Sequence, residues 1–109
     1  MAIYTNNLLI YIGTDFDQTF TLEDNGGPLY LGGYTIISKL KRNPKSLTSK
    51  SFNCSVIDQF AGKFKISMSS IETASLNSGK YLYDILLYKD GITDRIIDGE
   101  ITVKKPVTR

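Results

Sequence analysis

The sequence predicts an all-β domain spanning residues 1–109: a two-layer antiparallel β-sandwich of about seven strands, with one short helix before the sixth strand. Three observations predict it. Apolar residues alternate with polar ones at period two along most of the chain, the pattern of strands that bury one face. Between these runs stand clusters of Gly, Asn, Asp, Ser and Pro, the residues that supply turns. The longest alternating stretch, Gly79 to Val103, reads as two long strands joined by a tight turn, and the rest of the chain reads as packing against it.

In that stretch Tyr81, Tyr83, Ile85 and Leu87 alternate with Leu82, Asp84, Leu86 and Tyr88, and Ile97, Ile101 and Val103 resume one apolar side after Lys89-Asp90-Gly91. If the apolar odd positions of both strands face one core, paired residue numbers sum to an even value, which a two-residue Asp-Gly turn does not give. The expectation is therefore a three-residue loop, Lys89 to Gly91, with Gly91 in the left-handed conformation that is costly for any residue with a Cβ.

The earlier elements follow in order. A first strand over Tyr4 to Ile12 is apolar on both faces, with Leu8, Ile10 and Ile12 on one side and Leu9 and Tyr11 on the other, which an outer strand seldom needs. Gly13-Thr14 ends it, and Phe16, Gln18, Phe20 and Leu22 mark a half-buried second strand. Asp24-Asn25-Gly26-Gly27-Pro28 is turn chemistry, and Leu29 to Leu31 is an extended link ended by Gly32-Gly33. A third strand turns Tyr34, Ile36, Ser38 and Leu40 inward and Thr35, Ile37, Lys39 and Lys41 outward. The polar loop Arg42 to Lys50 is where mobility is expected to be greatest. A fourth strand covers Ser51 to Ile57. After the turn at Asp58 to Gly62, a fifth sets Phe64, Ile66 and Met68 against Lys63, Lys65 and Ser67.

Ser69-Ser70-Ile71-Glu72 matches a capping box, so a one- or two-turn helix is expected over Ser70 to Leu76, with Ile71 and Leu76 closing the open end of the core. Lys104 to Arg109 forms a basic tail. Phe16, Phe20, Leu40, Phe64, Ile66, Tyr83, Ile85, Ile97 and Ile101 each lie on the apolar phase of their own strand and are expected to form one core. Asn77-Ser78-Gly79-Lys80-Tyr81-Leu82-Tyr83 has the D-x-G-x-Y-x-C spacing of immunoglobulin domains, where the tyrosine hydroxyl ties the preceding corner to backbone and Tyr83 stands in place of the cysteine. With the strand count, this makes the expected sandwich immunoglobulin-like.

Composition narrows the chemistry. There is no histidine, which removes Ser-His and Cys-His catalysis and the commonest zinc ligand. Cys54 is the single cysteine, so no internal disulfide forms, and its place in the alternation Phe52, Cys54, Val56 reads as a small buried hydrophobe. Carboxylate pairs such as Asp15 with Asp17, or Asp94 with Asp98, share strand faces, but a solvated face explains them. Asp24-Asn25-Gly26 lacks the spacing of a calcium loop. The expectation is no enzyme, no catalytic residue, no cofactor and no metal. A net charge of +2, with no aromatic among Lys39 to Lys50, gives no reason to expect nucleic acid. The apolar run Leu8 to Ile12 is too short for a membrane span, and no signal peptide is recognised.

Taken together, Asp15-Phe16 with Thr19-Phe20-Thr21, Leu31-x-Gly33-Tyr34-Thr35, Lys41-Arg42-x-Pro44, Leu76-x-x-Gly79-x-Tyr81-x-Tyr83-Asp84, Arg95-Ile96-Ile97-x-Gly99-x-Ile101-Thr102-Val103 and Val107-Thr108-Arg109 resemble a known family. These are the small virion-associated β-sandwich proteins of tailed bacteriophages, and the chain is similar to the N-terminal domain of phage upper-baseplate proteins. Ser38 departs from that pattern, where a larger apolar residue is usual, as do Tyr11 and Ile12 before Gly13. The resemblance implies a non-enzymatic immunoglobulin-like module, made in the host cytoplasm and located in the virion. It would dock onto other structural proteins of tail, baseplate or capsid, in several copies or as a homo-oligomer, with no nucleic-acid or membrane partner.

The residues themselves point to where it would dock. If the third, sixth and seventh strands share a sheet, Ile37, Leu82, Leu86, Tyr88 and Ile96 converge on its outer face, rimmed by Lys39, Asp84, Asp94 and Asp98, with Leu9 and Tyr11 as a second contact surface. The alternative is a host-surface or carbohydrate-binding adhesin. Seven tyrosines suit sugar stacking, but there is no tryptophan and the tyrosines fall mainly inside strands.

Overall fold

The alternation of apolar and polar side chains resolves into two sheets that enclose a common core. The computed structural model describes residues 4–24, 26–43, 45 and 49–107. Asn25 of the first turn, residues 44 and 46–48 of the polar loop expected to be mobile, and residues 108–109 of the basic tail lie outside the described residues. The elements are β1 (Tyr4–Thr5), β2 (Leu8–Tyr11), β3 (Phe16–Thr21), β4 (Glu23–Asp24), β5 (Gly27–Pro28), β6 (Thr35–Lys41), β7 (Lys50–Ser51), β8 (Asn53–Asp58), β9 (Lys63–Met68), α1 (Ser70–Ala74), β10 (Gly79–Lys89) and β11 (Ile92–Lys104). One sheet runs β1-β11-β10-β6-β7, with β2 also on β11; the other runs β3-β9-β8; β4 and β5 form a small separate hairpin.

The described residues thus hold eleven strand segments rather than about seven. Two expected strands are split. The first breaks at Asn6-Asn7 into β1 and β2, which keep one register on β11 (Tyr4 opposite Ile97, Leu8 opposite Ile101) and run parallel to it. The sandwich is therefore not wholly antiparallel; nearly the whole chain serves as the long crossover that parallel pairing requires. The fourth breaks at Phe52, where the chain leaves β6 and joins β9. Phe52 is buried at this corner, and its N–H donates to the Ser38 carbonyl at 2.9 Å.

Phe20, Leu40, Phe64, Ile66, Tyr83, Ile85, Ile97 and Ile101 are buried together, with Phe16 half-buried against them. Each fully buried Leu, Ile or Phe contributes about 1.5–3 kcal/mol through removal of apolar surface from water. Cys54 is half-buried at the edge of this core, and burial pushes its thiol pKa up, partly offset by the Ser38 backbone N–H. Ser38, where the sequence lacks a larger apolar residue, is 2% exposed and donates its hydroxyl to the Asp84 carbonyl at 2.8 Å. A polar group is tolerable there because its hydrogen bond is made.

The long hairpin meets the even-sum requirement by a different device from the one expected. Lys89 pairs with Ile92, so the loop has two residues, Asp90 (φ 53°) and Gly91 (φ 80°), both in the left-handed region. Leu86 pairs with Arg95, but Ile85 pairs with Ile97. Ile96 is thus an extra residue in β11, a β-bulge that shifts the register by one, and below it Tyr81 faces Ile101 as the apolar pattern demands.

The helix forms as its capping box dictates. The Ser69 hydroxyl accepts from the Glu72 N–H at 3.2 Å, and the Glu72 carboxylate accepts from the Ser69 N–H at 2.9 Å. That backbone N–H, followed by the Asn53 amide, lowers the Glu72 pKa. Leu76 is buried, but Ile71 is 84% exposed and does not plug the core. Thr73, the buried residue of the helix, takes that place. It is fully buried, donating to the Thr14 carbonyl at 2.7 Å and accepting from the Gly13 N–H at 3.1 Å. At the corner before β10, the Tyr81 hydroxyl accepts from the Asn77 N–H at 3.1 Å, which is the tie the sequence spacing predicts.

Candidate protein interface

β6, β10 and β11 are neighbours in one sheet, and their register orders its outer face. Along β10, Tyr88 lies between Thr35 and Thr93, Leu86 between Ile37 and Arg95, Asp84 between Lys39 and Asp98, and Leu82 between Lys41 and Glu100. Leu9, Tyr11, Ile37, Leu82 and Tyr88 are each between 38% and 44% exposed, and Leu86 is half-buried. Of the seven expected interface residues, Ile96 is misplaced. It is 0% exposed because the bulge turns it inward beside Ile97.

The charged residues do not rim the apolar ones; the Lys39, Asp84, Asp98 row crosses the middle, separating Ile37, Leu86 and Tyr88 from Leu82, Leu9 and Tyr11. Asp94 pairs with inward-facing Leu87, so the bulge takes it off this face and away from Asp98. Those two aspartates therefore do not form the same-face pair their spacing implied. Asp15 accepts from the Ser70 N–H at 2.7 Å at the start of the helix, a capping role. Among the described residues no three Cys, Asp or Glu groups gather as a metal site would need.

Arg95 Nε lies 3.5 Å from Asp84 Oδ2, and Lys80 Nζ lies 3.8 Å from Glu100 Oε2. Both pairs are exposed, so each contributes at most about 1 kcal/mol. Over this part of the face lies a shallow groove of about 730 Å3, lined among others by Asn7, Lys39, Lys41, Leu82, Asp98 and Glu100. Asn6 and Asn7 bind the edge chain to it: the Asn6 N–H donates to the Asp98 carbonyl at 2.9 Å, and Asn7 Oδ1 accepts from the Glu100 N–H at 3.0 Å. Gly99 permits that approach, since a Cβ there would lie 2.2 Å from the Asn6 carbonyl oxygen.

Tyr83 supports the groove from beneath. Its hydroxyl donates to the Asn6 carbonyl at 2.5 Å, and burial, then the negative charge of Asp98, pushes its pKa up to about 12 from 10.0. A tyrosine whose pKa is raised on folding holds its proton more tightly in the native state. Its contribution is fully present below the unfolded pKa and is lost as pH climbs from about 10 to about 12, roughly 2–3 kcal/mol in all. Urea unfolding below pH 10 and at about pH 12 should show this loss in the wild type and not in Tyr83→Phe. Equal losses in the two proteins would refute the assignment.

The sequence reading missed a second apolar surface. Tyr30 and Phe60 come from separate loops to a ring-centroid distance of 5.3 Å, and are 49% and 69% exposed, with Val56 and Ile57 also exposed. The Leu31 N–H donates to the Gln59 carbonyl at 2.8 Å, which locks the loops together. The available signal was a phenylalanine inside a turn, outside any strand alternation.

No family model and no curated protein matches the chain. Among solved structures, the N-terminal domain of ORF48 of phage TP901-1 superposes with a TM-score of 0.58 at 14% identity, covering 96% of this chain and 100% of that one. Listeria monocytogenes InlP superposes with a TM-score of 0.54 at 14% identity over 91% of this chain, which spans 26% of the InlP chain. The likeness is one of fold: this all-β, two-sheet architecture is shared with a domain of a phage protein. Among the described residues no helix is long and apolar enough to cross a membrane.

Proposed function

We infer that this protein is a non-enzymatic structural component of a tailed-phage virion, a sandwich module that docks onto tail, baseplate or capsid proteins. The observation that carries the reading is the set of half-exposed apolar side chains on the outward positions of one sheet: Leu9, Tyr11, Ile37, Leu82 and Tyr88. Single exposed apolar residues are ordinary, but several on one sheet face favour partner contact. The fold shared with a phage protein domain supports the virion setting. An immunoglobulin-like subclass is supported by the order β2-β11-β10-β6 facing β3-β9-β8 and by the Tyr81 corner.

Leu86, half-buried between Ile37 and Arg95, is the position to test. Leu86→Asp should leave a folded protein by circular dichroism that stays free in the lysate instead of entering particles. A folded variant that assembles at the normal copy number would overturn the docking role of this face. The adhesin reading is favoured by the Tyr30 and Phe60 pair, since rigid exposed rings suit sugar stacking. A glycan array that binds the wild type and not Phe60→Ala would support it; no binding would remove it.

A further inference from the structure

Two rows of the groove on the outer face carry opposite charges on their two sides. Lys39 and Lys41 stand on β6, Asp98 and Glu100 on β11, and β10 runs between them. Lys39 and Asp98 are both register partners of Asp84, and Lys41 and Glu100 are both partners of Leu82, so the opposite charges stand at equal heights on either side of one strand. A two-fold axis along β10, in the plane between two facing copies, exchanges the sides and preserves the heights. It sets each Lys39 against the other copy's Asp98 and each Lys41 against the other copy's Glu100, while Leu82 and Leu86 meet themselves. Asp84 also meets itself, but Arg95 of the same chain already lies 3.5 Å from it.

We propose that the occupant of this face is a second copy of the same chain, paired by that two-fold axis. The proposal rests on the reading of this face as a docking surface and names its partner. β6 contributes seven residues. At about 3.4 Å per residue and about 4.8 Å between four strands, the facing area is roughly 450 Å2 per copy. That is below the ~800 Å2 per partner of a standard stable interface, so the pair is weak and reversible. High local concentration in an assembly would then populate it.

Charge exchange tests the pairing. Analytical ultracentrifugation of the wild type should show a dimer that weakens at high salt. Lys39→Glu/Lys41→Glu and Asp98→Lys/Glu100→Lys should each dissociate at least about tenfold more readily, and an equimolar mixture should recover a heterodimer in which every opposed pair is again of opposite sign. Lys41→Glu mixed with Glu100→Lys repeats the exchange with half-buried Asp98 left intact. A wild type that stays monomeric up to about 1 mM, or reversed variants that remain dimeric, would overturn the proposal. If the wild type is monomeric while Leu86→Asp still fails to enter particles, a different protein occupies the face and only the self-pairing falls. If the dimer forms but Leu86→Asp enters particles normally, the docking role falls and the self-pairing stands.

Discussion

Phe64→Ala is expected to destabilise the protein by about 3–5 kcal/mol, a large share of the 5–15 kcal/mol that holds an ordinary domain together. Phe64 is fully buried on β9, the central strand of the smaller sheet, between Phe20 and Val56 in register. Its ring stacks on that of Phe20 at 5.4 Å between centroids. Truncation removes the transfer free energy of the ring and leaves a cavity in a middle strand, where both neighbouring strands hold the backbone and the walls cannot collapse. Urea denaturation should show a lower midpoint with an unchanged slope. A loss below about 1 kcal/mol would mean that the site relaxes around the gap.

Gly62→Ala is expected to cost about 2–4 kcal/mol, from strain and backbone overlap together. Gly62 closes the turn between β8 and β9 at φ 70°, and a Cβ there would lie 2.5 Å from the Leu22 carbonyl oxygen and 2.8 Å from that of Leu29. The Leu22 N–H also donates to the Gly62 carbonyl at 2.8 Å, so the turn cannot swing aside without losing that bond. Since the same turn carries Phe60, the substitution should also disturb the Tyr30 and Phe60 pair. Thermal unfolding would read the first effect and near-ultraviolet circular dichroism the second. An unchanged melting temperature would refute the close approach.

Much of the architecture was legible because period-two alternation reports which face of a strand is wet. The inward and outward sets of β3, β6, β9 and β10, the capping box at Ser69 and Glu72, and the corner bond of Tyr81 all stand where local pattern placed them. Ile71 failed because a helix this short, Ser70–Ala74, gives no usable periodicity; which side faced inward was decided by Thr73 bonding to the chain at Gly13-Thr14, some sixty residues away. The interface reading was right about exposure for Leu9, Tyr11, Ile37, Leu82 and Tyr88 and wrong for Ile96.

The sequence by itself determined the β character, the apolar side of each long strand, the helix start and the need for an even register sum in the hairpin. It did so because each is set by neighbours within a few residues or by whole-strand alternation. Only the tertiary structure decided how the register sum was met. Asp90-Gly91 could close a two-residue turn because the bulge at Ile96 supplied the missing residue farther along β11, and a bulge carries no strong local signature. That one residue took Asp94 off the outer face and buried Ile96. Cross-strand pairing, in turn, ran the charged row through the centre of the face, because Lys39 lies far from Asp84 in the chain and the bulge at Ile96 sets which residue of β11 meets Asp84, and no local pattern reports either.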